Sequence, residues 1–204
     1  MHAIEKKDLN LLSNNSDFTP VPSIVKRFAP DKHIIFYDPD SEQPERMIFE
    51  IDGPFLDFEE RHIRKLNKLI RNHERREEIE KMMSRFNKLR FLQANNYKYE
   101  QALENILTHI KYVKENLPIA LNDDSKRLLS NGLLYIHGRD KSFRPILIFR
   151  TSVLTELSER EYPDAMDAMM FVILYTINHL LVPGKVENYN VITDFSDFAV
   201  TKVP

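Results

Sequence analysis

The side chains best suited to proton transfer or metal ligation near neutral pH are seven histidines: His2, His33, His62, His73, His109, His137 and His179. No two stand in an HxxxH or HExxH pattern, so no helix would present a zinc-binding pair on one face. Cysteine is absent, which removes disulfides, thiolate nucleophiles and Cys-ligated metals. Gly53, Gly132, Gly138 and Gly184 fit neither GxGxxG nor a P-loop, and no GxSxG elbow occurs. Asp38-Pro39-Asp40 has two carboxylates at calcium-loop spacing, but Pro39 and Pro44 intrude and the loop glycine is missing. Asp194 ends an apolar run, where a catalytic carboxylate could work with His137 or His179. Nothing adjacent supplies a nucleophile, and the better reading of Asp194 is a cap for the turn that follows. His179 falls in an apolar stretch and reads as a core histidine. These residues describe a chain that is not an enzyme and needs no cofactor or metal.

Charge narrows the partners. The chain has 29 Lys+Arg against 31 Asp+Glu, a formal −2, which argues against nucleic acid because phosphate binding needs a basic surplus. An apolar share of 42% suffices for a core. Met1–Lys7 lacks the apolar block of a signal peptide. The most apolar stretch, residues 168–182, includes Thr176, Asn178 and His179 and falls short of the roughly 20 residues of a membrane span. The expected location is cytoplasmic, with peripheral contact to membranes.

The elements that must position any site fall into three stretches. Residues 1–54 hold six of the eleven prolines, so this Pro-rich extension is irregular or forms at most a hairpin. The hairpin would pair residues 33–37 with 47–51 through a turn at 38–41. Residues 55–94 carry eleven basic and seven acidic side chains and predict two amphipathic helices with a break near Asn72–Arg76. Their basic face would meet either solvent or an anionic membrane. Tyr99, Leu103, Ile106, Ile110, Val113 and Leu117 then mark a helix over 98–117 that Pro118 stops. From residue 132 the period changes. Strands are expected at 133–137 and 145–150, joined by a polar connection at 138–144. A helix at 164–182, buried on most faces, and a strand at 188–194 follow. The class is α+β to α/β: a helical subdomain at 55–120, then a sheet with flanking helices at 128–204.

Three segments resemble one family. Leu89-Arg-Phe-Leu-Gln-Ala-Asn-Asn-Tyr97, followed by Ala102, resembles the RFLRARKF…A helix-turn-helix of CRAL-TRIO lipid-transfer proteins. Gly138-Arg-Asp-Lys-Ser-Phe-Arg-Pro145 and the Ile-Leu-Ile-Phe after it resemble that family's GxDxxGRPV hairpin and strand. Val186-Glu-Asn-Tyr-Asn-Val-Ile-Thr-Asp194 resembles its strand ending in xIxD. The order agrees, and the resemblance covers about residues 58–204.

The resemblance implies a helical subdomain packed on an incomplete CRAL-TRIO-like α/β sheet that floors an apolar pocket under a gate helix. Such a protein takes one phospholipid or other hydrophobic ligand from a membrane it touches transiently, and shields it without making or breaking a bond. It implies pocket-lining roles for Ile146, Ile148, Tyr189, Val191 and Thr193, and a structural ion pair for Arg144. Phosphatidylinositol is disfavoured: Asn95 stands where headgroup-binding members have the second Arg of RAR, and Gln93 replaces the other. Tyr189 and Val191 replace two headgroup-contacting hydroxyl residues, and Phe143 replaces the Gly of GRP, which should reshape that turn. The chain ends just past the xIxD strand, so the expectation includes a truncated domain, an open sheet edge and self-association through it. The alternative is a protein- or membrane-interaction module without a closed pocket.

Overall fold

A computed structural model of the chain describes residues 21–30, 35–36, 44–52 and 54–196. In chain order these form helix α1 (Ser23–Arg27), strands β1 (Ile35–Phe36) and β2 (Glu45–Arg46), and helices α2 (Asp57–Arg71), α3 (Arg76–Met82), α4 (Arg85–Ala94), α5 (Tyr99–Asn116) and α6 (Asp123–Ser130). Strands β3 (Leu134–Arg139) and β4 (Pro145–Arg150), helices α7 (Thr151–Leu154) and α8 (Tyr162–Tyr175), and strand β5 (Asn190–Asp194) complete the series. The chain divides into two compact units: Pro30–Leu117, and Met1–Ala29 taken with Pro118–Pro204.

In the helical unit, Asp57, Glu59 and Glu60 lie at the positive end of α2, and Lys68 and Arg71 at its negative end. Ile63, Leu66 and Ile70 turn inward at helical spacing. Residues 76–94 form two helices where the apolar spacing predicted one, so the expected pair of helices is corrected to three. Ser84 makes the break: its Oγ accepts the Asn87 N–H at 3.1 Å, which starts α4. The periodicity hid this because Ile79, Met83, Leu89 and Leu92 all bury into one core on either side of the break. Ala102, Ile106 and Ile110 are the buried stripe of α5. The turn between α4 and α5 is left-handed at Asn96 (φ 49°) and Tyr97 (φ 58°), and the Tyr97 N–H returns to the Leu92 carbonyl at 2.7 Å.

A short antiparallel ladder sets Ile35 opposite Arg46 and Phe36 opposite Glu45. The second strand thus precedes the apolar run 47–51 expected to form it. Ile48 and Phe49 are buried without joining a strand. The turn expected at 38–41, with Asp38 and Asp40, lies outside the described residues.

Arg46 fixes this segment to the helices. Its Nε and Nη2 donate to the two Glu59 carboxylate oxygens at 2.7 and 2.6 Å, and Nη1 reaches the Ile48 carbonyl at 3.3 Å. Both side chains are almost wholly buried, at 3% and 1% exposure. Glu59 Oε2 also accepts the Leu56 N–H at 2.8 Å, which satisfies a free donor at the start of α2. Bidentate geometry and these further donors offset the desolvation that makes buried charges costly.

In the α/β unit, the Asn122 side chain caps α6 by accepting the Ser125 N–H at 2.8 Å. Gly132, at φ +80°, ends it: the Leu133 N–H returns to the Leu128 carbonyl at 3.1 Å and the chain enters β3. The sheet order is β3-β4-β5. β3 and β4 are antiparallel with a bulge at His137, whereas β4 and β5 are parallel. A parallel pair needs a crossover, and residues 151–189 supply it.

The crossover helix differs from expectation in two ways. Regular α-helix stops at Tyr175, and Thr176–Leu180 form a π-helix, with the Leu181 N–H bonded to the Thr176 carbonyl at 3.2 Å. It is also open on one side: Met166 and Ile177 remain 54% and 45% exposed, because Ala165, Ala168, Phe171 and Val172 make the buried face. Phe171 and Val172 pack with Leu134 and Leu147 of the sheet. The fold is α+β, with a small mixed sheet.

Substituting Glu59→Gln leaves a buried guanidinium without its counter-charge. Urea unfolding is expected to show a loss of about 3 kcal/mol. Replacing both partners, Arg46→Met with Glu59→Leu, is expected to lose less than that single change. A larger loss in the double variant would show that the ion pair stabilises the fold beyond its own desolvation.

Candidate functional site

Residues paired across a ladder point to the same side of the sheet, so register assigns the faces. Leu134 is paired with Phe149 and Ile136 with Leu147, and on β5 Leu147 is matched by Val191 and Phe149 by Thr193. This is the face on which α8 packs, where Leu147 is fully buried. The opposite face carries Tyr135, Ile148 and Ile192 side by side across the three strands, with Ile146 beside Asn190. Tyr135 is 37% and Ile192 52% exposed, and Ile146 and Ile148 are half-buried. The sheet therefore has one face covered by α8 over β3 and β4, with Val191 of β5 still 51% exposed on it, and another that presents a continuous apolar row.

The five pocket candidates do not meet on one surface. Ile146 and Ile148 share the open face. Val191 and Thr193 lie on the other, and Tyr189 packs against the core of Leu134, Leu147, Phe171 and Val172. Tyr135 and Ile192 share the open face with Ile146 and Ile148. Both stood inside expected strands, but their face depends on the β4–β5 register.

The connection at 138–144 is organised by Asp140. Its Oδ1 accepts the N–H groups of Ser142 and Arg144 at 2.9 and 2.8 Å. Its Oδ2 accepts Arg144 Nε at 2.7 Å and Asn190 Nδ2 at 3.0 Å, which ties the turn to the start of β5. Arg144 is thus in the structural ion pair expected of it. Burial works against ionisation of Asp140, but the Arg144 N–H and guanidinium and the Asn190 amide hold its pKa below the ordinary carboxylate value. Phe143 takes the left-handed conformation, at φ 60°, that glycine adopts without strain. Its ring packs edge-on to Phe28 with centroids 5.2 Å apart.

The chemistry-bearing residues have other roles. Asp194 Oδ1 accepts the Ser196 N–H at 2.9 Å and so caps the following turn. His137 is exposed at the bulge. His179 is half-buried against Tyr175, with ring centroids 4.9 Å apart, and is not a core histidine. Among the described residues no group of three or more His, Asp or Glu side chains is placed to hold a metal.

In the helical unit, the two positions that differ from the RAR pattern serve the fold. Gln93 accepts the Arg46 N–H at 2.7 Å and donates to the Arg46 carbonyl at 3.2 Å. Buried Asn95 accepts from Asn105 of α5 at 2.7 Å and donates to the Phe91 carbonyl at 2.8 Å.

Residues 129–204 match the family model described as the CRAL/TRIO domain. No curated protein matches the chain. The match spans the sheet and the crossover, so the open apolar face lies within the matched residues.

Two outcomes are expected at the turn. Phe143→Ala keeps the left-handed strain and loses the ring contact, so its melting temperature should fall below that of Phe143→Gly, which relieves the strain. The reverse order would show that the Phe143 backbone is unstrained. Asp140 has a depressed pKa, so its contribution is complete above its unfolded value near 3.8 and is lost as pH falls below it. Denaturation at neutral pH and near pH 3 should show a smaller acid loss in Asp140→Asn than in the parent, and an equal loss would remove Asp140 from the acid response.

Proposed function

With the chain taken as a CRAL-TRIO family member through residues 129–204, we propose that it binds a lipid or other hydrophobic ligand on the open face of its sheet and carries it between membranes. The observation that carries this reading is the row Tyr135–Ile148–Ile192, extended by Ile146, on the face away from α8. Apolar side chains held on a rigid ladder form a floor for an acyl chain, and each methylene removed from water is worth about 0.8 kcal/mol. Ile146 and Ile148 line that floor. Val191, Thr193 and Tyr189 support the ligand only indirectly, from the other side.

The residues disfavour an inositol phosphate headgroup. A phosphate is held best by charge-assisted donors, and Gln93 and Asn95 are engaged in bonds that hold the fold. An apolar or zwitterionic ligand fits better. Among the described residues no helix is long and apolar enough to cross a membrane. The carrier would therefore meet bilayers from the water side and leave again, and no step of the cycle makes or breaks a covalent bond.

Native mass spectrometry of the purified chain, with lipid extraction after denaturation, tests this. One co-purifying lipid per chain is expected. Ile148→Asp should empty it with an unchanged circular dichroism spectrum, and Val191→Asp should leave it filled. Equal loss in both variants, or no ligand in the parent, would count against the open face as the site.

A further inference from the structure

Outside the sheet, the most unusual surface is one side of α2. Residues 61–73 contain Arg61, Arg64, Lys65, Lys68 and Arg71 and not one carboxylate. At about 100° per residue these five fall on a single stripe, roughly 15 Å long. All five are exposed. The opposite side of the same helix buries Ile63, Leu66 and Ile70, so the stripe cannot rotate out of view.

Ion pairing separates the arginines of this stripe from the other arginines of the unit. Arg46, Arg75, Arg76, Arg85 and Arg90 are each paired, with Glu59, Glu78, Glu80, Glu60 and Glu50. Among the described residues Arg61, Arg64 and Arg71 enter no ion pair, nor does Lys68. Lys65 lies over the Tyr99 ring, 5.7 Å from its centroid. A solvated helix in a chain of balanced charge would be expected to mix signs along its exposed face, as α3 does with Arg76 and Glu80. Here the cations are gathered and left open.

We propose that this α2 stripe docks the protein on an anionic phospholipid bilayer. The proposal rests on the carrier reading and names the surface through which the carrier would meet a membrane. A straight row of cations on one helix face matches a plane of lipid phosphates, and such charges attract an anionic leaflet within a Debye length. Nucleic acid fits less well. The chain has a net charge of −2 and no basic surplus, and the stripe carries no exposed aromatic on which a base could stack.

The test uses the full chain with two vesicle types, phosphatidylcholine alone and phosphatidylcholine mixed with phosphatidylserine. Co-flotation should favour the anionic vesicles more than tenfold and should weaken as salt is added. The triple variant Arg61→Gln, Arg64→Gln, Lys68→Gln should lose more than tenfold in that binding, with its melting temperature and co-purified lipid unchanged. Equal binding to both vesicles, salt-independent binding, or a variant that binds like the parent would overturn the proposal. So would tighter binding to a duplex oligonucleotide than to anionic vesicles. Loss of co-purified lipid with docking intact would instead count against the carrier reading alone.

Discussion

The ladder between β4 and β5 decides what the sheet can do. A strand alternates its side chains between two faces, so the pairing of Ile148 with Ile192 fixes every other neighbour along both strands. Shifting that register by one residue would bring Val191 to the open face and send Ile192 toward α8. Two bonds hold it: Asn190 is bonded to Asp140 of the β3–β4 connection at the start of β5, and the Thr151 hydroxyl donates to the Asp194 carbonyl at 2.8 Å at its end. A long apolar crossover thus delivers a five-residue strand in one register, and the composition of the open face follows from that.

The sequence revealed most of the elements and little of their relative phase. Long helices such as α5 were visible because one stripe repeats for several turns and a proline ends it. The break at Ser84 was less visible. Neither Gly nor Pro marks it, and the apolar spacing continues across it because two helices share a core. The capping serine was the available signal. Strands β3, β4 and β5 were legible as runs, but a run does not say which parity faces a helix. That is why Ile146 and Ile148 were grouped with Val191 and Thr193, although the ladder separates them. The hairpin β1–β2 was displaced for a related reason: residues 47–51 are apolar because they pack on helices, not because they pair.

The positions that depart from the resembled motifs are used by the fold itself. Gln93 and Asn95 carry amides that both donate and accept, and both capacities are used within the helical unit. At Phe143 a side chain other than glycine takes a left-handed conformation, and its ring packs on Phe28. Tyr97 shows the converse. Its ring is buried, its hydroxyl has no bonding partner among the described residues, and burial, with Glu59 nearby, pushes its pKa up to about 12. It contributes as an aromatic wedge in the left-handed turn and not as an acid.

The Arg46 clasp also bears on how the helical unit assembles in time. Each of helices α2 to α5 forms from backbone bonds close in sequence, whereas their packing joins residues as far apart as His62 and Tyr99. The bonds from Arg46 to Gln93 span 47 residues, so their loop must close before either partner is rewarded. Until that happens, the Glu59 carboxylate lacks its guanidinium partner. Docking of residues 44–56 thus ties β2, the start of α2 and the end of α4 together through one arginine.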